Sequence, residues 1–228
     1  MVNLRNGSRG VVPEAVRSHF LYVSHDLAGH LGVSRVLEKL EDLWWPSLET
    51  DVENYVHSCV PCLRRKGSAG QRTKPPLGQL RRGKKPGQSI HIDYAHMAPS
   101  SGYKFYLVAV CSFSRYAWCI PCRADNAATA ARALLYKVFL PMDFLPENIH
   151  SDRGTHFCSA TVSEMCKLNG IKHTISTAFH PQSNSFAERA NRTIKNSLYC
   201  MVNSPGKRNW VDCVPHVMRT LNSVKNKS

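Results

Sequence analysis

Two groups of side chains in this sequence have the makings of metal sites. The first is His25, His30, Cys59 and Cys62, with four residues inside the histidine pair, two inside the cysteine pair and 28 between the pairs. Two nitrogen and two sulfur donors suit tetrahedral Zn2+, a borderline-soft ion with no redox chemistry. A set supplied wholly by the protein leaves no open coordination position, so the expected role is structural. His19 and His57 lie close by with poorer spacing, and Cys119 and Cys122 form a second short pair with no partner pair near in sequence. The second group is Asp93, Asp152 and Glu188, the last two separated by 35 residues. Three carboxylates gathered at one edge of a sheet would repel one another. Hard divalent cations, Mg2+ or Mn2+, relieve that repulsion. A pair of such ions can activate an attacking oxygen and stabilise a leaving oxygen in in-line phosphoryl transfer. Taken alone, Glu188 reads equally well as half of a surface pair with Arg192.

The elements around these residues are predicted from periodicity. Val33, Val36, Leu37, Leu40, Leu43 and Trp44 recur at helical spacing, and Trp45-Pro46 should stop that helix. Ser47 or Thr50 can cap the next helix, whose apolar face is Leu48, Val52, Tyr55 and Val56. A unit of this size has little core of its own, and a metal would supply much of its folding free energy. Asp93 falls in an alternating segment, 89–97, that reads as a strand before a turn at Pro99-Ser100-Ser101-Gly102. Strands follow at 105–111 and 115–120, then an alanine-rich helix opened by Asp125 or Asn126 and reaching about Phe139. A short strand at 148–151 delivers Asp152. A helix at 159–168 stops at Asn169-Gly170, and a strand follows at 171–175. Helices at 184–202 and 208–223 complete the pattern, with Glu188 near the start of the first. On that helix Ala187, Ala190, Ile194 and Leu198 make the buried stripe, while Glu188, Arg192 and Lys195 share another face. This order gives an α/β reading: an RNase H-like core, a mixed five-stranded sheet with flanking helices, preceded by a small helical zinc-binding domain. The expected domains are residues 1–63 (helical, zinc-binding), 64–87 (basic linker) and 88–228 (catalytic core).

Charge distribution bounds the partner. The net charge of +14 is spread as −3 over residues 1–63, +9 over 64–86 and +8 over 87–228. The 64–86 stretch holds Arg64, Arg65 and Lys66 and no acid, and it is rich in Gly and Pro. Nucleic acid is the natural polyanion for such a pattern. Nine cysteines, an odd number, in a chain without a secretory leader favour reduced or metal-bound thiols over a disulfide framework. No apolar run approaches the length of a membrane span.

The residues also match a family. The segments His25 with Gly29-His30-Leu31-Gly32, Trp44-Trp45-Pro46, Asp51-Val52 and Tyr55-Val56 with Cys59-x2-Cys62 resemble the integrases of gypsy-type LTR retrotransposons and retroviruses. So do His91-Ile92-Asp93-Tyr94, Phe113-Ser114, Ser151-Asp152-Arg153-Gly154 with Phe157, and His180-Pro181-Gln182-Ser183-Asn184 with Ala187-Glu188-Arg189. The resemblance implies a DDE polynucleotidyl transferase. Asp93, Asp152 and Glu188 would bind two Mg2+ or Mn2+ ions for 3′-end processing and strand transfer. His25, His30, Cys59 and Cys62 would bind zinc in a domain that aids assembly. Gln182, Asn184, Arg192 and Lys195 would contact DNA, with Arg64, Arg65 and Lys66 of the linker adding charge. The implied partners are element and target DNA and further copies of the chain, and the implied location is the nucleus after import from the cytoplasm. Cys111 stands where similar integrases usually carry Asp, and Ser185 stands where Gly is common. A C-terminal DNA- or chromatin-binding domain, and the reverse transcriptase and RNase H that precede integrase in the polyprotein, are not recognisable here. That leads to the expectation of a truncated or host-adopted copy. The second function it leaves open is a relic that binds nucleic acid without catalysis.

Overall fold

The computed structural model describes residues 2–4, 7–66, 83–142, 145–176, 184–204 and 208–223. Its contacts divide the chain into two compact units, Met1–Arg72 with Asn196–Ser228, and Thr73–Lys195. The expected linker falls largely outside the described residues.

The first unit contains strands β1 (Val2–Leu4) and β2 (Gly7–Val11), helices α1 (Glu14–His25) and α2 (Val33–Lys39), and strand β3 (Leu43–Trp44). Helices α3 (Leu48–Ser58) and α4 (Val60–Lys66) follow. The helix expected to run from Val33 through Trp44 ends at Lys39. Leu43 and Trp44 instead pair with Gly10 and Val11 in a parallel ladder. The amide of Val12 donates to Trp44 O at 3.1 Å, and that of Gly10 to Asp42 O at 2.9 Å. Trp45, one residue on, is buried, and its Nε1 donates to Asp51 Oδ2 at 2.7 Å. Ser47 precedes α3, but its Oγ also donates to that Asp51 oxygen, at 2.7 Å, rather than capping the helix backbone. These two bonds hold the Asp51 carboxyl below its usual range. Val12, Leu21, Val36, Leu40, Trp45, Val52 and Val56 form the small core.

The second unit is built on a mixed five-stranded sheet, as expected from the element order. The strands are β4 (Ser89–Ser100), β5 (Tyr103–Cys111), β6 (Ala117–Cys122), β7 (Asn148–Ser151) and β8 (Lys172–Ile175), in spatial order β6-β5-β4-β7-β8. The first three form an antiparallel meander, and β7 and β8 run parallel to β4. The hairpin between β4 and β5 turns on Ser101 and Gly102, both left-handed at φ 50° and 79°. Such a pair matches the natural twist of flanking strands. Helix α5 (Ala127–Leu134) starts at Asn126, whose side chain accepts from the Thr129 amide at 2.9 Å. It continues as one π-helical turn, Leu135–Phe139, closed by the Leu140 amide on Leu135 O at 2.9 Å. Helix α6 (Ala160–Leu168) is capped by Ser159. Ile90, Ile92, Leu107, Ala109 and Ile149 from the sheet pack against Leu134, Val138, Phe139 and Val162 from these helices. Each fully buried aliphatic side chain contributes about 1.5–3 kcal/mol, so this core is deep enough to hold the sheet rigid beneath its edge. Helices α7 (Ser185–Val202) and α8 (Trp210–Ser223) are the last two described elements, and the division between units falls within α7, after Lys195. No helix among the described residues is long and apolar enough to cross a membrane.

Candidate metal centres

The His/Cys set comes together around the end of α1. Helix α1 ends on His25, and the chain then turns through Gly29 and His30, both left-handed at φ 80° and 59°. That reversal, with the His30 amide on His25 O at 2.7 Å, swings the second imidazole back beside the first. Gly29 is needed for its left-handed backbone, and a β-carbon there would also stand 3.5 Å from the Ser197 β-carbon. Cys59 lies between α3 and α4, and Cys62 lies in the first turn of α4. The four candidate ligand atoms all lie within 4.8 Å of one another. His25 Nε2 and His30 Nδ1 are 3.3 Å apart, Cys59 Sγ is 3.3 Å from His30 Nδ1, and Cys62 Sγ is 3.5 Å from His25 Nε2. A tetrahedral ion with Zn–N of about 2.0 Å and Zn–S of about 2.3 Å has edges of roughly 3.3–3.8 Å, so the set fits zinc. His25 donates from Nδ1 to Leu31 O at 2.8 Å, which leaves the Nε2 lone pair for the ion. Burial, followed by the neighbouring Cys62, pushes the Cys59 thiol up to about 11. Zinc must therefore displace its proton. Cys119 and Cys122 are buried as free thiols on β6, away from any comparable group among the described residues.

Strand pairing brings two of the three carboxylates side by side. Strands β4 and β7 pair in parallel from Ser89↔Asn148 to His91↔His150. Asp93 and Asp152 each lie two residues past the last pair, on chains about 5 Å apart. The Asp152 Oδ1 accepts from the Gly154 amide at 2.9 Å. Gly154 itself is hemmed in, because a β-carbon there would meet His156 Nε2 at 2.5 Å and Asp152 Oδ1 at 3.0 Å. Glu188 sits in the first turn of α7, exposed to solvent. The helix is pinned to β4 by Asn191, whose side-chain amide donates to Asp93 Oδ2. Burial pushes the Asp93 carboxyl up to about 6, and the negative charges of Asp152 and, more weakly, Glu188 add to the effect. The Asn191 bond works against it. Asp93, Asp152 and Glu188 are near enough to influence one another's charge, but among the described residues only the His/Cys set is drawn together closely enough to hold an ion as it stands, so a cation would have to draw Glu188 in. An all-oxygen anionic donor set of this kind fits Mg2+ or Mn2+.

Asn191 was not singled out from the sequence. It lies three residues after Glu188, on the same side of the helix, and that spacing is the signal that could have found it. Replacing it by alanine leaves a half-buried carboxylate oxygen without its donor. Asn191→Ala is expected to weaken magnesium affinity about 10–100-fold, measured by titrating the metal against a metal-dependent signal of the full chain.

The sign of the Asp93 shift gives a pH dependence. A carboxyl raised in the folded chain is cheaper to ionise in the unfolded one. Its ionisation cost is absent below about 4, grows as pH rises, and is fully present above about 6. His91 acts oppositely in the same window, since burial and the His150 ring beside it hold its imidazole down at about 4. The contribution of Asp93 is isolated by comparison. Without magnesium, Asp93→Asn is expected to gain stability relative to the parent as pH rises from 4 to 6, read from urea midpoints.

The expected nucleic-acid contacts have mixed placements. Arg192 and Lys195 are exposed on α7, as is Glu188, and Arg64 is exposed on α4. Asn184 is buried, and its amide donates to Ile92 O at 3.1 Å, so it anchors β4 rather than facing outward. Arg65 is half-buried, donating to Asn196 Oδ1 at 2.9 Å with its guanidinium 5.4 Å from the Tyr199 ring centre. Gln182 and the Lys66 side chain lie outside the described residues. Cys111 fills a turn, its Sγ accepting from the amides of Gly87 at 3.2 Å and Ser114 at 3.4 Å. Ser185 is the first residue of α7.

Comparison with known proteins finds likenesses over both regions. Residues 83–181 match the integrase core domain, and residues 12–68 match the integrase zinc-binding domain. The chain is 34% identical over 98% of its length to the Pro-Pol polyprotein of Simian foamy virus type 3 (strain LK3), of which it spans 19%. It is 33% identical over 79% of its length to the Gag-Pol polyprotein of Baboon endogenous virus (strain M7), of which it spans 10%. Among solved structures it is similar to a chain of the simian T-cell lymphotropic virus intasome, with a TM-score of 0.58 and 21% identity, covering 83% of this chain and 64% of that one. It is also similar to the HTLV-2 integrase catalytic core domain in complex with magnesium, with a TM-score of 0.51 and 23% identity, covering 61% of this chain and 87% of that one. The chain belongs to the integrase family, with residues 12–68 as its zinc-binding domain and residues 83–181 as its core domain.

Proposed function

We propose that this chain is a metal-dependent polynucleotidyl transferase that trims the 3′ ends of element DNA and joins them to host DNA. The observation that supports the reading is the placement of Asp93 and Asp152 two residues past the last pair of adjacent parallel strands, with Glu188 in the first turn of the helix that Asn191 bonds to Asp93. When bound, a pair of divalent ions supplies Lewis-acid activation of the attacking oxygen and stabilisation of the leaving one. The chain's own part is to hold the ligands. The sheet fixes Asp93 and Asp152 on adjacent parallel strands, the Gly154 amide orients Asp152, and Asn191 ties the Glu188 helix to Asp93. Arg192 and Lys195 would meet DNA phosphates, a reading supported by their exposure on the helix that bears Glu188. The partners are element and target DNA. Joining two DNA ends calls for more than one protomer, and the substrate places the reaction in the nucleus. Two of the similar solved structures, described as an intasome and as a trimeric integrase core, support assembly.

The test is a disintegration assay, in which a branched DNA mimicking the joined product is incubated with the full chain and Mg2+ or Mn2+. Resolution of the branch is the expected result. No turnover with either ion, alongside retained DNA binding, overturns the transferase reading and leaves a DNA-binding protein. Affinity for DNA is expected to fall steeply with salt, and neutralising the nine basic residues of 64–86 should flatten that slope.

A further inference from the structure

Of the two zinc-facing histidines, one is oriented by a carbonyl six residues on and the other by a residue 174 positions away. His30 Nε2 lies 2.9 Å from Ser204 Oγ, and that hydroxyl donates its single proton to Cys200 O, also at 2.9 Å. The hydroxyl can then only accept from the imidazole. His30 must carry its proton on Nε2, which frees the Nδ1 lone pair, the atom that faces Cys59, Cys62 and His25. Ser204 does for His30 what Leu31 O does for His25.

The contact is part of a continuous face. Asn196, Ser197, Cys200, Met201 and Ser204 recur at helical spacing along the end of α7 and just beyond it. The Cys200 thiol reaches Pro61 O, between the two cysteine ligands, at 3.7 Å. Asn196 holds Arg65 of α4. Gly29, in the ligand turn, sits where a β-carbon would lie 3.5–3.7 Å from Ser197, Val217 of α8 and Met201. Leu221 of α8 packs on the core formed by α1, α2 and α3.

We propose that Ser204 is a positioning residue of the zinc site, and that zinc therefore organises the end of α7 and all of α8 together with residues 12–66. The free energy of metal binding is folding free energy for whatever the ligands hold together. Here the ligand set holds the C-terminal helices through the His30–Ser204 bond. The inference rests on zinc occupying the four-ligand set, which stoichiometric zinc uptake by the parent chain checks separately.

The test uses the full chain in three forms: parent, Ser204→Ala and Ser204→Thr. Zinc affinity is read by competition with a chromophoric chelator. Ser204→Ala is expected to bind zinc about 10-fold or more weakly, and Ser204→Thr, which keeps the hydroxyl, to bind as the parent does. Metal-free parent and metal-free Ser204→Ala should melt together, since the bond acts through the metal. In the parent, backbone amides of Trp210–Ser223 should be protected from hydrogen exchange with zinc and lose protection when it is stripped. Unchanged affinity in Ser204→Ala, a melting difference that persists without metal, or α8 protection indifferent to zinc would each overturn the proposal.

Discussion

Asp152→Asn is expected to reduce branch resolution by at least about 10²–10³-fold while leaving the fold as stable as the parent or slightly more so. Asparagine keeps the shape of the side chain and can still present an oxygen to the Gly154 amide, which Asp152 Oδ1 engages at 2.9 Å. It removes the charge that the proposed metal ions would need. It also removes the stronger of the two carboxylate charges acting on Asp93, so in magnesium-free buffer Asp93 should ionise more easily and the urea midpoint should hold or rise near neutral pH. A metal site built at the expense of stability predicts this opposition, loss of turnover without loss of fold. Equal loss of both would mean that Asp152 is structural. Full retention of turnover would remove it from the reaction.

The core could be read from the sequence because its signals are local. Alternation in β4, the Asn126 cap, and the Asn169-Gly170 stop each depend on residues within one element, and they placed those elements well. The failures are non-local. Leu43 and Trp44 continued the helical spacing of α2, but their partners are Gly10 and Val11, more than thirty residues earlier, and no periodicity reveals a ladder that distant. The pairing of β2 with β3 was missed for the same reason, whereas β1, three residues long, pairs locally with β2 and is too short to show an alternation. Side-chain assignments divide the same way. The His/Cys spacing was legible because chemistry restricts the donor types. The roles of Arg65 and Asn184 were not, since charge or polarity says nothing about which neighbour takes the hydrogen bond. Arg65 has the composition of a phosphate contact and is bound to Asn196 and Tyr199 instead. Ser204 carried no sequence signal at all, since a serine just past a helix end is common and its partner lies 174 residues away.

Stripping zinc is expected to unfold the first unit while the sheet of the second persists. The small core around Val36, Trp45 and Val52 has few large side chains, and a core of so few residues is marginal without a staple. Structural zinc contributes roughly 10–16 kcal/mol in small metal-binding peptides, more than such a core can hold on its own. Removal also leaves His25 and Cys62 buried with no ion to coordinate. The five-stranded sheet has its own core in Ile90, Ile92, Leu107 and Ile149 and contains none of the four ligands. A chelator should therefore abolish amide protection in α1 and α3 and expose Trp45, while β4 and β5 keep theirs. Because the Cys59 thiol is held up to about 11 without metal, binding expels its proton, and zinc affinity should fall about tenfold per pH unit on acidification for each proton released. Retention of α1 and α3 protection after complete zinc removal would show that the core alone suffices, and the metal would then be an accessory to a fold already made.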